Sequence, residues 1–437
     1  MKNKNVFWLG IVSFFTDLSS DMIFPVLPIF LSSVLGVPKT MIGLIDGLGE
    51  LTSSLLKGAA GVWSDKIHRR KRLVGLGYGL STVVKPFFSL ISTGPQALLL
   101  RAIERAGKGI RTAPRDALIT ESVKDTERGS AFGFHRALDT SGAVLGTLVA
   151  FLFLLKYTGN YHTLFLLSFI PGGIAVICLL LFVKETPSPA MPVPQPQPPR
   201  LPYSPQFKKF LFVSVLFQLG SASYSFFALK AHEIGVGLAF IPLVYLVYSL
   251  IYALLSKPMG KLSDRIGRHK VLPIGFLAFA LTAAGFALLD SPPAGGGVGG
   301  GGSSHLIWLF IALYGISLAI TDGVSRAFVA DLTSRNPSSS SLSLRAEGQP
   351  PLTLRGGDDR DPPLKVRGGR GSYERHGAAF GVYHMATGLA SLLGAVGFGL
   401  LWDRFGAQTA FLSSAALTLI ATVIFVILVK QSSIKTL

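Results

Sequence analysis

Apolar runs about as long as a bilayer's hydrocarbon core is thick recur from one end of the chain to the other, and nothing else in the sequence restricts the fold as strongly. About twenty helical residues cross that layer, and the helix pairs its own backbone groups where no water can. Three such runs are 163–183 (TLFLLSFIPGGIAVICLLLFV), 210–229 (FLFVSVLFQLGSASYSFFAL) and 410–429 (AFLSSAALTLIATVIFVILV). Others begin near residues 7, 41, 73, 97, 131, 239, 271, 306 and 377, which makes about twelve spans. The expected fold class is an all-α integral membrane protein with twelve transmembrane helices. A chain that is 49% hydrophobic and only 15% charged fits that expectation. The first run follows MKNKN, but it is too long for a signal peptide and carries Asp17 and Asp21. Cys178 is the single cysteine, so no intramolecular disulfide can form.

A net charge of +18 would suit a nucleic-acid binder, but its distribution argues against one. With a cytoplasmic N-terminus and twelve spans, the inner loops carry Lys66, Arg69 to Arg72, Lys124, Arg128, Lys208, Lys209, Arg265, Arg268 and Lys270. The outer loops carry only Lys39, Lys156, Lys230 and Arg404. That asymmetry obeys the positive-inside rule. It implies a multi-pass protein of the inner membrane, in contact with lipid, with both termini cytoplasmic and no nucleic-acid partner.

The chain also repeats itself. GVWSDKIHRRKRL (61–73) lines up with GKLSDRIGRHKVL (260–272), and AFGFHRALDTSGAVLG (131–146) with AFGVYHMATGLASLLG (379–394). The expected organisation is a six-helix half over 1–183, a Pro-rich linker over 184–206, a second six-helix half over 207–430 and a tail over 431–437. The second half is lengthened by a Gly-rich outer loop, 292–304, and a low-complexity cytoplasmic insert, 334–375.

Two six-span halves, each carrying Gly-x-x-Ser-Asp-[KR]-x-x-[RK] between its second and third spans, resemble the major facilitator superfamily of secondary transporters. The resemblance covers nearly the whole chain apart from the two insertions. It implies pseudo-symmetric halves around a central site exposed alternately to each side, with the first and fourth spans bordering the cavity. His68 departs from the motif, standing where Gly267 stands in the second copy. Gly61 and Gly260 are small enough for close helix approach. Asp65 and Asp264, with Arg69 and Arg268, are expected to latch the halves as a conformational gate. The alternative is a basic turn that only sets topology. The fourth span lacks the Arg-x-x-Gln-Gly of the family's drug exporters, and the fifth has Gly142 and Gly146 where they carry Gly-Pro.

The fourth span is the least ordinary. RAIERAGKGIRTAPRDAL, 101–118, places Arg101, Glu104, Arg105, Lys108, Arg111, Arg115 and Asp116 within an arc of roughly 140° at about 100° per residue. Ionisable groups at that depth need water or partners. Asp17 and Asp21 on the first span, and Asp46 and Glu50 on the second, each share a face at i, i+4 spacing. Two carboxylates in one place cannot both ionise cheaply, so one of the first-span acids is a candidate proton carrier. The rival reading is a helix cap or a structural ion-pair network. Within the fourth span five cations stand against two acids, an excess that points to an anionic group on the solute. Arg101, Arg105, Lys108, Arg111 and Arg115 are the binding candidates, with Tyr248 of the Tyr245, Tyr248, Tyr252 stripe, whose other reading is packing. Asp17, Asp21, Glu50, Arg136 and Asp139 are the proton-coupling or ion-pair candidates, with His135 beside the last two.

The expected function is alternating-access secondary transport of a small solute by a monomer, coupled to protons and directed outward as an antiport. The alternatives are an importer or uniporter of the same fold, and a membrane sensor or scaffold that uses the Arg-rich insert as a binding arm. No Gly-x-x-x-x-Gly-Lys loop and no catalytic triad or metal spacing occurs in the sequence, so neither an enzyme nor a cofactor is expected.

Overall fold

The computed structural model describes residues 3–67, 69–124, 127–185, 203–289, 303–333 and 370–434, all of them helix or short connection. The first half holds α1 (Lys4–Asp21), α2 (Lys39–Ile67), α3 (Arg70–Val83, continued as a 3₁₀ turn over Lys85–Leu90), α4 (Gly94–Glu121), α5 (Arg128–Lys156) and α6 (Tyr161–Phe182). The second holds α7 (Pro205–Gly220, continued by Tyr224–Glu233), α8 (Ile241–Ile266), α9 (Arg268–Leu288) and α10 (Ser303–Thr333). Arg370–Ile434 completes it as one hydrogen-bonded run that breaks at Gly406, φ 86°, into α11 (370–405) and α12 (407–434).

Local chemistry sets several of these ends. Asn3 caps α1, Ser204 caps α7 ahead of Pro205, and Thr93 with Gln96 closes a capping box at α4. Gly267 ends α8 at φ 97°, where a side chain would be strained. Its first-half counterpart, His68, lies outside the described residues.

Eight described helices are long and apolar enough to cross a membrane, and the longest, Ala379–Leu428, spans both α11 and α12. The remaining three, α1, α2 and α4, fall short because they carry the charges. The chain is an integral membrane protein of twelve helices in two related halves. The relation reaches individual contacts. A methyl group added at Gly146 of α5 would stand 2.3 Å from the Leu18 carbonyl oxygen of α1. At the sequence-equivalent Gly394 of α11 it would stand 2.5 Å from that of Leu219 in α7. Gly142 is tighter still, 2.1 Å from the Phe14 carbonyl oxygen. In each half the fifth helix lies against the first with no side chain between.

The halves meet at one end of the bundle. Asp403, in the last turn of α11, accepts hydrogen bonds from the backbone of Lys39 at 3.0 Å and of Thr40 at 2.8 Å, and so caps α2 across the divide. Gly43 lies against the Ala395 carbonyl, Phe151 meets Phe240 at 5.6 Å, and Tyr224 donates to the Pro25 carbonyl at 3.1 Å. At the other end, which carries the repeated loops, the described ion pairs stay within a half: Arg70 with Glu121, and Arg268 with Asp264 and Asp331. The expected latch between halves is therefore not engaged through Arg268 in this conformation, and the Asp65 side chain lies outside what is described. Neither loop glycine makes the close approach expected of it. A methyl at Gly61 would meet Ala113 at an ordinary 3.5 Å, and Gly260 faces open space. Arg69 is exposed.

The linker over 184–206 and the segments 292–304 and 334–375 fall mainly outside the described residues; α10 already begins at Ser303 and α11 at Arg370.

Candidate functional site

Between the halves lies a cavity of about 930 Å³, walled by charged residues of α1, α2, α4 and α5 on one side and by aromatic residues of α7, α8 and α10 on the other. It opens toward the end with the repeated loops. The side chains of Arg136, Asp322 and Arg326 at that end are 62%, 42% and 46% exposed, against 2% for Glu104 deeper in.

The polar stripe of α4 faces the cavity as its spacing predicts, but its members play different parts. Arg101 donates to Glu104 at 3.1 Å and lies 3.7 Å over the ring of Phe24, in the turn that follows α1. Arg105 reaches Glu104 only at 3.9 Å, and its Nε has no hydrogen-bond partner among the described residues. Lys108, exposed to the cavity, makes no ion pair there either. Arg115 is closed onto its neighbour Asp116 at 2.8 Å. Arg111 reaches the other way. It donates to Ser81 of α3 at 2.7 Å and lies 4.5 Å from the centre of the Tyr78 ring, so its guanidinium is held in the α3–α4 contact although the residue also borders the cavity. The sequence placed it correctly on the helix, but a long side chain at the edge of the stripe can reach either way.

The acids come from three helices. Asp17 of α1 lies within hydrogen-bonding reach of Asp139 of α5. Asp139 also accepts from Ser13 at 2.6 Å and from Arg136 at 3.3 Å. The carboxylate closest to Asp17 is therefore Asp139, across the tight α1–α5 contact, with Asp21 one turn along α1 also acting on it. Asp21 accepts from Tyr245 at 3.3 Å, and Asp46 from Ser223 at 2.7 Å. Glu50 is exposed to the cavity. Arg136 also reaches Tyr252 at 3.3 Å, which in turn donates to Asp322 at 2.7 Å, joining the halves at the open end. His135 is buried but does not line the cavity.

The lining holds eight carboxylates and eight lysines or arginines. The expected excess of cations is not met, because Glu50, Asp46, Asp139 and Asp322 come from other helices and restore the balance. Tyr248 does line the site, and Tyr224 and Tyr314 join it in a cluster with Tyr245. Among the described residues no group of three or more His, Cys, Asp or Glu is arranged to hold a metal.

Three further residues are not picked out by the sequence reading. Ser223 and Asp403 sit at helix breaks, where spacing arguments stop. Lys85 could have been noticed as an ionisable group inside an apolar run. It is wholly buried behind α1 and donates to Ser19 at 2.7 Å and to the Thr16 carbonyl at 3.4 Å.

Two pseudo-symmetric helical halves closed over a charged cavity at one end and open at the other are the architecture of a secondary membrane transporter. The chain belongs to the Major Facilitator Superfamily, whose family profile matches residues 9–346. It is 39% identical over 348 residues to an uncharacterised MFS-type transporter of Methanocaldococcus jannaschii, covering 78% of this chain and 84% of that one. It is 28% identical over 315 residues to the multidrug resistance protein MdtG of Salmonella arizonae, covering 67% and 74%. Among solved structures, the nucleoside transporter NupG matches with a TM-score of 0.70 at 15% identity, over 97% of this chain and 98% of that one. A point mutant of the peptide transporter POT matches at 0.72 and 14%, over 98% and 95%. These two likenesses establish the fold alone.

Proposed function

We propose that the protein exports a small solute bearing an anionic group in exchange for protons, from an inner-membrane position with both termini and the repeated loops on the cytoplasmic side. The observation that carries this reading is the meeting of Asp17 and Asp139 on the lining that also holds Lys108, which acts on Asp17 without a close ion pair, and Arg105, whose one ion-pair contact is the 3.9 Å approach to Glu104. Two carboxyl groups in contact hold together only with a proton between them. Asp139 already accepts from Ser13 and Arg136 and is the better anion, so the shared proton belongs to Asp17. An anionic solute entering at Arg105 and Lys108 changes the charge that faces this pair, and thereby couples solute binding to proton binding. The likeness to a multidrug resistance protein supports the outward direction, and the charge asymmetry of the loops supports the orientation. A scaffold would gain nothing from unpaired ions kept inside a bilayer.

The test is transport by the purified protein in liposomes with an imposed pH gradient, over a panel of anionic and drug-like solutes. Gradient-driven movement is expected for the wild type. Asp17→Asn is expected to bind solute normally and lose the response to the gradient. Equal gradient dependence in the two proteins would exclude Asp17 as the proton carrier, and no gradient dependence in the wild type would exclude coupling to protons.

A further inference from the structure

Besides Asp17, three carboxylates of the cavity have no cation within ion-pairing distance among the described residues. Asp46 accepts from the Ser223 hydroxyl at 2.7 Å, Asp21 from the Tyr245 hydroxyl at 3.3 Å, and Glu50 stands exposed to the cavity. A hydroxyl occupies one lone pair and leaves the negative charge balanced only at longer range, by Arg101 and Arg105 for Asp46 and Glu50 and by Lys108 for Asp21. Beside these acids the second half presents Tyr224, Tyr245, Tyr248 and Tyr314, whose neighbouring ring centroids are 5.1 to 5.4 Å apart. Carboxylates bordered by aromatic faces are the surroundings an organic ammonium group seeks, because ring quadrupole and anion attract it together and the rings shed water at little cost. On the same lining, Arg105 keeps an Nε without a hydrogen-bond partner, 3.9 Å from Glu104, and Lys108 has no acid within ion-pairing distance among the described residues.

The cavity thus offers one unfilled place for a cation and one for an anion, within a lining whose acids and bases are equal in number. A simple anion would leave Asp21, Asp46 and Glu50 without a close cation among the tyrosines, and a simple cation would leave Arg105 with only its 3.9 Å contact to Glu104 and Lys108 with no close anion. From this pattern we infer that the transported solute is a zwitterion, its ammonium seated against Asp46 and Asp21 among the tyrosines and its anionic group at Arg105 and Lys108. The inference rests on the transport reading above and narrows it, since an anionic group alone no longer describes the solute.

Matched probes test it. Phenylalanine and the dipeptide phenylalanyl-alanine carry both charges, their amides keep only the ammonium, and their N-acetyl derivatives keep only the carboxylate. Binding is read as the concentration-dependent rise in melting temperature of the purified protein. The zwitterions are expected to bind best. Asp46→Asn should weaken the zwitterion and the amide by about tenfold and spare the N-acetyl compound, while Arg105→Gln should do the reverse. Should Asp46→Asn fail to yield folded protein, Asp21→Asn makes the same test. N-acetyl or amide derivatives that bind as well as the parents would overturn the inference, as would variants that weaken all three probes alike or a wild type that none of the zwitterions stabilises. Counterflow in liposomes separates this from the transport reading. A zwitterion that binds in the crossed pattern without being moved leaves the site standing and removes transport. A singly charged probe moved as well as its zwitterion does the opposite.

Discussion

At the scale of single residues, side-chain direction separates arginines that the helix period groups together. Arg105 and Arg111 share the polar arc of α4 and both border the cavity, yet only Arg111 ties its guanidinium to Ser81 and Tyr78. Arg111→Gln is expected to lower stability by on the order of 2 kcal/mol, the combined scale of a charged hydrogen bond and a cation–π contact, with little change in solute affinity. Thermal melts of the two variants beside solute titrations check this, and a loss of affinity in Arg111→Gln without loss of stability would contradict it. The sequence could place the stripe, because the 3.6-residue period needs only the backbone. It could not apportion the stripe, because the acids that balance it arrive from α1, α2 and α5 and are brought together only by packing. The miscount of cations and the pairing of Asp17 with Asp139 both come from that limit. Lys85 was legible in principle, and its neutral partners Ser19 and Thr16 were not, since nothing local links α3 to the back of α1.

At the scale of helices, the repeated segments proved readable down to individual contacts. The alignment of 131–146 with 379–394 pairs Gly146 with Gly394, and each lies on a carbonyl of the first helix of its own half. The loop glycines were read with the same steric argument and came out differently, because that argument holds only where another helix arrives. Gly260 faces open space here. This contrast gives an experiment. Gly142→Ala forces α1 and α5 apart and is expected to cost about 1 to 3 kcal/mol, the usual range for overpacking. Gly260→Ala should leave melting temperature and solute affinity unchanged or slightly raised, by up to about 1 kcal/mol from helix propensity. If the loops at this end come together in the opposite conformation, the same Gly260→Ala should slow turnover while sparing binding. Unchanged turnover would reduce the second loop to a topology-setting turn.

At the scale of the whole molecule, α4 and α5 are separated by only six residues, whereas α10 ends at Thr333 and α11 starts at Arg370. The composition of the intervening stretch, rich in Ser, Gly, Pro and Arg, cannot form a core. Removing 336–366 should therefore leave insertion and transport intact, as assayed in liposomes, and loss of transport by a well-expressed deletion would favour the binding-arm reading. The opposite end of the bundle is held across the halves by a compact set of polar bonds. The Asp403 carboxylate accepts from the Lys39 and Thr40 amides and from the Thr40 hydroxyl at 2.7 Å, satisfying the start of α2 from a residue of the other half. These bonds exist only while that end is closed, so they weight one conformation over the other without touching the solute. A helix cap of this kind is worth about 1 to 2 kcal/mol, which corresponds to a shift of roughly 5- to 30-fold in the ratio of the two states. Asp403→Ala should accordingly populate the state opened at this end. Spin labels on cysteines introduced at Ser33 and Arg404, in a Cys178→Ser background, would report it as a second, longer distance absent or minor in the parent. A single unchanged short distance, in a variant that still melts cooperatively, would mean that the apolar contacts of Gly43 with Ala395 and of Phe151 with Phe240 close this end unaided.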